Sequence, residues 1–194
     1  MRSTRSAWMR GIPVVACLML LSSCAGSSNY MKPSTSVLTP TAEKALVRFM
    51  RPSGMGFAIE FNLFDGEELI GNIVAKSQID YVADPGRHVC MSTAENKVFL
   101  DADLAPGRLC YIITRISPGV WRARVAFIAV TRGSEYWESV LQYEQELQKL
   151  EPDEAKLKAW EESNKEQIRA LLSAYETDFK QRYDWPKLTS GDGR

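Results

Sequence analysis

The chain has 194 residues, of which 24 are basic, 24 are acidic and one is histidine, so its formal net charge at neutral pH is zero. Proteins that bind nucleic acid usually carry a basic face, and this balanced charge gives no sign of one. The single histidine, His88, belongs to no cluster with metal-ligand spacing, and the chain lacks a phosphate-binding glycine loop and a nucleophile motif. We therefore expect no metal, no cofactor, no nucleic-acid partner and no enzymatic activity.

The N-terminal segment has the pattern of a bacterial export signal. Three arginines precede the apolar run 11–21, which is too short to span a bilayer. The four residues Leu21-Ser22-Ser23-Cys24 resemble the lipobox of bacterial lipoproteins. The resemblance implies cleavage between Ser23 and Cys24, a diacylglyceryl group on the Cys24 sulfur and acylation of the new amino terminus. Several acyl chains on one residue would make this membrane attachment durable.

The residue after the lipidated cysteine indicates which membrane the protein reaches. Ala25, rather than aspartate, follows Cys24, and in lipoproteins of this type that implies export to the outer membrane. We expect a lipid-anchored outer-membrane protein that faces the periplasm. The alternatives are a soluble secreted protein cut near Ala25 and a cytosolic protein with an apolar start.

Composition divides the chain into five segments. The region after the signal is rich in serine, threonine and proline, which is typical of a flexible tether that holds a folded domain clear of the lipid headgroups. The predicted segments are a signal peptide at 1–23, a lipidated N terminus and flexible linker at 24–41, a β-sandwich domain at 42–132, a helical tail at 133–186 and a disordered C terminus at 187–194.

Alternating apolar residues predict strands after the linker. The clearest alternation runs over 57–63 and is followed by the hairpin dipeptide Asp65-Gly66. Three Pro-Gly turns each open a further strand, and the last alternating run begins at Trp121. This spacing predicts a mainly β sandwich of about seven to eight short antiparallel strands.

Four motifs of this segment also carry a family resemblance. They are Val47-x-Phe49-x-Arg51-Pro52, Phe61-x-Leu63-x-Asp65-Gly66 with Ile70-Gly71, Asp84-Pro85-Gly86-Arg87-His88, and Leu104-x-Pro106-Gly107-x-x-x-Tyr111. Over residues 42–131 they resemble the bacterial lipoproteins that carry an uncharacterised small β-sandwich domain of unknown function. The resemblance implies a fold and brings no activity. The chain departs from the family at Cys110-Tyr111, where the family usually has two tyrosines.

Two cysteines remain once Cys17 has left with the signal and Cys24 carries lipid. Cys90 and Cys110 either form a disulfide or are two separate buried thiols, and their positions in the sequence leave both interpretations open. A disulfide closing this loop would stabilise the fold by about 3 kcal/mol through chain entropy.

The tail changes to a helical period, which predicts a helical hairpin or a kinked helix. Glu151-Pro152-Asp153-Glu154 has the pattern of a helix start, and an apolar stripe follows it. This stripe either packs on the sandwich or binds another envelope protein or a second copy of the chain. Exposure of its aromatic residues would favour partner binding, and their burial would count against it. The candidate partner-binding residues are Trp160, Ile168, Leu171, Tyr175 and Phe179.

These features predict a lipid-anchored envelope protein that acts as a non-catalytic interaction or structural module. The alternative is a periplasmic module that holds a lipid, a glycan or a peptide in the sandwich. Two charged pairs at alternate positions, Asp101 with Asp103 and Arg122 with Arg124, are interpreted as solvent-facing strand residues.

Overall fold

The computed structural model describes residues 28–121 and 123–194, which form two packed β-sheets with helices on their outer faces. The strands are β1 (Met31–Pro33), β2 (Ala45–Arg51), β3 (Phe61–Asp65), β4 (Glu68–Ile73), β5 (Ser77–Ala83), β6 (Gly86–Thr93), β7 (Lys97–Leu104), β8 (Leu109–Pro118), β9 (Ala123–Val130), β10 (Gln148–Pro152) and β11 (Lys187–Leu188). The helices are α1 (Ser139–Glu146), α2 (Glu154–Ala174), which continues through a π-helical turn (Tyr175–Phe179), and α3 (Lys180–Arg182).

One sheet has six strands in the order β1-β10-β5-β2-β8-β9, and the other has five in the order β11-β7-β6-β3-β4. The predicted β sandwich followed by a helical segment is confirmed. The described residues contain eleven strands rather than seven or eight, and three pairings, β2 with β8, β5 with β10 and β7 with β11, are parallel. No helix in the described part of the chain is long and apolar enough to cross a bilayer.

The core lies between the two sheets. Phe49 of β2 packs against Phe127 of β9 with 6.2 Å between ring centroids, and Leu63 of β3 and Leu100 of β7 meet them from the five-stranded sheet. These residues are fully or almost fully buried. Alternation along each strand places one apolar set in this layer, which is the physical reason that the pattern predicted a sandwich.

Helix α1 covers the outer face of the six-stranded sheet, so β2 is buried on both faces. Arg48 of β2 is buried there, and its guanidinium donates hydrogen bonds of 2.5 and 2.8 Å to the two carboxylate oxygens of Asp80. It also pairs with Glu144 of α1, which accepts a 2.9 Å hydrogen bond from the Tyr111 hydroxyl. A buried charge requires such partners, and here they attach the helix to the sheet.

The segment predicted to be a flexible linker belongs to the fold from Ser28 onward. Strand β1 pairs with β10, and the Tyr30 carbonyl accepts a 2.7 Å hydrogen bond from the Asp153 amide. The linker prediction missed this because β1 has only three residues and pairs with a strand more than a hundred positions away. In the sequence, Ala25, Gly26 and Ser27 lie between Cys24 and Ser28.

The structure also differs from the prediction of a disordered C terminus at 187–194. Strand β11 pairs with β7, and Leu188 is 2% exposed. Leu109 and Arg194 exchange backbone hydrogen bonds of 3.0 and 3.1 Å. The segment is polar and rich in glycine, so composition alone favours disorder, but backbone pairing with two strands of the sandwich orders it.

Candidate functional site

The predicted lipidation site Cys24, the predicted cleavage site between Ser23 and Cys24, and the signal segment 1–23 lie outside the described part of the chain. Arg122 lies outside it too, so the structure does not address the prediction that Arg122 and Arg124 share a solvent-facing strand face. Arg124 itself is exposed and lies 3.6 Å from Glu95.

The tail stripe packs on the outer face of the five-stranded sheet. Ile168, Leu171 and Tyr175 are at most 6% exposed, and the ring of Tyr175 lies 4.8 Å from that of Phe99. Trp160 and Phe179 are half-buried beside the same cluster. The stripe is therefore used inside the monomer, and this burial counts against partner binding through these five residues.

Cys90 and Cys110 are free thiols, both buried in the core between the sheets. Burial raises the pKa of Cys90 and raises that of Cys110 to about 11. The structure therefore has the two separate thiols that the sequence left open, and not the disulfide. Apolar surroundings that hold a thiol in its protonated form also make it a poor nucleophile.

His88 lies at one end of the sandwich with both ring nitrogens engaged. Its Nδ1 atom lies 2.5 Å from Oδ2 of Asp65, and its Nε2 atom lies 2.8 Å from the Asp84 carbonyl oxygen. The Tyr81 hydroxyl donates a 2.9 Å hydrogen bond to the same Asp65 oxygen. This arrangement joins three strands at their ends and leaves neither ring nitrogen turned toward a cleft.

The paired acids of β7 differ in their exposure and partners. Asp103 is exposed, while Asp101 is half-buried and lies 3.6 Å from Arg87. Within the described ranges, no group of three or more histidine, cysteine, aspartate or glutamate residues could hold a metal ion.

Large apolar side chains are exposed at the end of the sandwich opposite His88. Here β2, β6 and β8 end, and turns lead into β3, β7 and β9. Trp121 is 90% exposed, Val120 74%, Phe57 69% and Met55 54%. We call these four residues the apolar rim. Exposed aromatic residues in two neighbouring turns are a mark of contact surfaces, because their burial against a partner removes much apolar area from water.

Buried Arg51 fixes the turn that carries Met55 and Phe57. Its Nη2 atom donates hydrogen bonds of 3.0 and 2.8 Å to the carbonyl oxygens of Met55 and Gly56, and its Nη1 atom donates one of 2.5 Å to that of Ile59. Arg51 is fully buried, and burial lowers the pKa of its guanidinium to about 10, so it stays charged at neutral pH. A charged donor buried under a turn holds the backbone in one conformation.

Glu95 fixes the turn that carries Val120 and Trp121. Its two carboxylate oxygens accept hydrogen bonds of 3.2 and 2.9 Å from the amides of these two residues. The Glu95 amide donates a 3.1 Å hydrogen bond to the carbonyl of Ala123, at the start of β9. Both halves of the rim are therefore held by buried or half-buried polar groups.

A groove of about 440 Å³ lies between the two halves. Its volume is within the range of small-ligand sites. The Oε2 atom of Glu60 is buried and has no hydrogen-bond partner. Among the groove's described residues, no other carboxylate oxygen is both buried and unpaired. The lining residues are Ile59, Glu60, Phe61, Thr93, Ala94, Glu95 and Ala123.

No protein-family model, curated protein or solved structure matches this chain. The rim is thus assigned from its geometry.

Sequence patterns assigned two of the rim residues, Phe57 and Trp121, to strands. The alternation over 57–63 predicted a strand from Phe57, but β3 begins at Phe61, and Trp121 lies in a turn rather than in β9. The alternation of apolar and polar residues extends beyond the strands into the turns. The signals that indicated the turns were Ser53-Gly54 and Pro118-Gly119, which directly precede the exposed residues.

Proposed function

We propose that the protein is a lipid-anchored, non-catalytic module of the bacterial cell envelope, attached to the outer membrane and facing the periplasm, and that the apolar rim is its contact surface. The observation that carries the proposal is the 90% exposure of Trp121 in a turn that Glu95 holds in place. The lipobox-like residues ending at Cys24 support the anchor.

The way the rim is built supports a role in binding. The buried Arg51 and the half-buried Glu95 hydrogen-bond the backbone of two turns whose apolar side chains are exposed to solvent. Turns that are held rigid before contact lose little conformational entropy on binding, so an apolar surface of this kind binds more tightly than a mobile one.

The anchor is tested by producing the full-length protein in a bacterium with an outer membrane. Mass spectrometry should find a diacylglyceryl group on Cys24 and no residue before it. The Cys24→Ser variant should accumulate with its signal uncleaved or appear in the soluble fraction. Cys17→Ser is the matched control and should stay membrane-bound, since that cysteine is removed with the signal. An unmodified Cys24 would overturn the anchor.

The contact surface is tested by photocrosslinking in intact cells. A photoreactive amino acid replaces Phe57 or Trp121 in the rim, and Val82, which is 47% exposed near the opposite end, serves as control. The rim positions should give a discrete adduct and the control position none. If rim and control behave alike, the rim is not the contact surface.

A second function is favoured by the unpaired oxygen of Glu60 beside an apolar groove. A module that binds small ligands here would prefer one with a cationic head and an apolar body. Calorimetric titration with hexylammonium, with neutral hexanol as the matched probe, tests this. Binding of the ammonium that Glu60→Gln weakens would support the ligand-binding function, and equal, weak responses to both probes would eliminate it.

A further inference from the structure

We propose that the apolar rim docks on the lipid bilayer that holds the Cys24 anchor, so that this end of the sandwich faces the membrane surface. The inference rests on the proposed lipid anchor and names the partner of the same contact surface.

The first step is the length of chain between the anchor and the fold. Only Ala25, Gly26 and Ser27 separate Cys24 from Ser28. Four Cα steps span at most about 14 Å even when fully extended. The described fold therefore begins within about 14 Å of the lipidated residue, which is closer than a flexible linker over 24–41 would hold it.

The second step is where Ser28 lies. Its hydroxyl donates to the side-chain oxygen of Asn72 near the end of β4, and it accepts a 3.1 Å hydrogen bond from the Met31 amide. Asn29 donates a 2.6 Å hydrogen bond from Nδ2 to Oε1 of Glu60. Because Glu60 lines the groove between the two halves of the rim, the anchored segment joins the fold beside the rim.

The position of the anchored segment favours the rim over the opposite end as the membrane-facing one. Asp65 lies four residues along β3 from Phe61 of the groove, which is about 13 Å at 3.3 Å per residue. His88 lies five residues along β6 from Thr93 of the groove, which is about 17 Å. A tether that joins the fold beside the rim therefore holds the rim nearer to the bilayer than the end that carries His88 and Asp65.

The chemistry of the rim fits a bilayer surface. Tryptophan favours the headgroup level of a membrane, and Phe57, Val120 and Met55 supply apolar side chains that can enter the acyl boundary. Lys76, Lys97 and Arg124 are exposed at the same end, where cations attract anionic headgroups. The acids there, Glu60 and Glu95, are half-buried and bonded to the protein.

The test uses the mature lipidated protein, purified and reconstituted into vesicles of phosphatidylethanolamine and phosphatidylglycerol. An environment-sensitive fluorophore is attached at Phe57→Cys, Trp121→Cys or the control Val82→Cys. Cys90 and Cys110 are buried and therefore should not take up the label. The apolar surroundings of the acyl boundary should shift the emission of the labels at 57 and 121 to the blue. Vesicles with brominated acyl chains should strongly quench these two labels. The label at 82 should keep its aqueous spectrum and its intensity.

Equal spectra at all three positions, or rim labels that bromine does not quench, would overturn membrane docking. A rim crosslink to a protein and not to lipid would overturn it as well, while leaving the rim as a contact surface. Mass spectrometry of Cys24 reads the anchor separately. Lipid on Cys24 with unquenched rim labels rejects docking alone, and absence of the lipid rejects the anchor and docking together.

Discussion

His88 Nδ1 and Asp65 Oδ2 are 2.5 Å apart, and the other ring nitrogen meets the Asp84 carbonyl oxygen. A ring that carries a proton on each nitrogen satisfies both contacts at once, because the carboxylate and the carbonyl oxygen both accept hydrogen bonds. The hydrogen bond that the His88 ring donates to Asp65 is the main cause that raises the pKa of His88 above its usual 6.5, assisted by the charges of Asp65 and Asp84. The pair is therefore predicted to be an ion pair near neutral pH.

This pair makes stability depend on pH. Because the pKa of His88 is higher in the folded state, the stabilisation is fully present below about pH 6.5, the value in the unfolded chain, and is lost as the pH rises through the raised folded value. Urea unfolding should show His88→Gln to be more destabilising at pH 6 than at pH 9. A difference from wild type that stays constant over this range would contradict the ion pair.

Arg51 is predicted to control both stability and the shape of the rim. Arg51→Met would leave several buried or half-buried carbonyl oxygens without their donor, which should cost about 3 kcal/mol or more in the free energy of unfolding. Arg51→Lys should lose less, since it keeps the charge but reaches fewer acceptors. Exposed Arg115→Met is the matched control and should change stability by less than about 0.5 kcal/mol. Comparable losses at 51 and 115 would show that Arg51 does not hold the turn.

The two core thiols are predicted to be unreactive until the protein unfolds. Buried and protonated thiols react slowly with alkylating agents, so iodoacetamide should leave Cys90 and Cys110 unmodified in native mature protein. In urea without reductant, both should be alkylated, and mass spectrometry would count two additions. If unfolded protein accepted label only after reduction, Cys90 and Cys110 would be joined by a disulfide, which would contradict this prediction.

Leu188 is predicted to be a core residue despite its place near the end of the chain. Leu188→Ala should cost about 2–4 kcal/mol in the free energy of unfolding, because it removes a side chain that is 2% exposed. Leu38→Ala makes the same chemical change at a position that is 40% exposed, and it should have little effect. Thermal or urea unfolding of both variants decides this, and equal effects would mean that β11 does not hold the last residues in the fold.

Local signals predicted the parts of the fold that are set by neighbours in the sequence. The hairpin at Asp65-Gly66 and the start of α2 after Asp153 are where their patterns placed them. Short strands that pair with distant partners carry no such pattern. For this reason β1, β10 and β11 were missed, although together they tie both ends of the described range 28–194 to the sandwich.

For a related reason, the sequence did not predict most of the candidate site. Phe57 and Trp121 continue an apolar alternation, and nothing local distinguishes a strand residue from a turn residue that merely keeps the period. Their exposure depends on Arg51 and Glu95, which bind backbone groups of the turns. The sequence shows the charges but not the carbonyls and amides that they reach.

By itself, the sequence determined the mainly β character of the chain, its helical segment and its lipobox-like Cys24, because each depends on consecutive or periodically spaced residues. Tertiary structure alone decided that the tail stripe is buried, that Cys90 and Cys110 stay apart as thiols, and that the apolar rim is exposed. These are relations between residues far apart in the chain, and they are set by packing two sheets and a helix around shared cores, which no local pattern encodes.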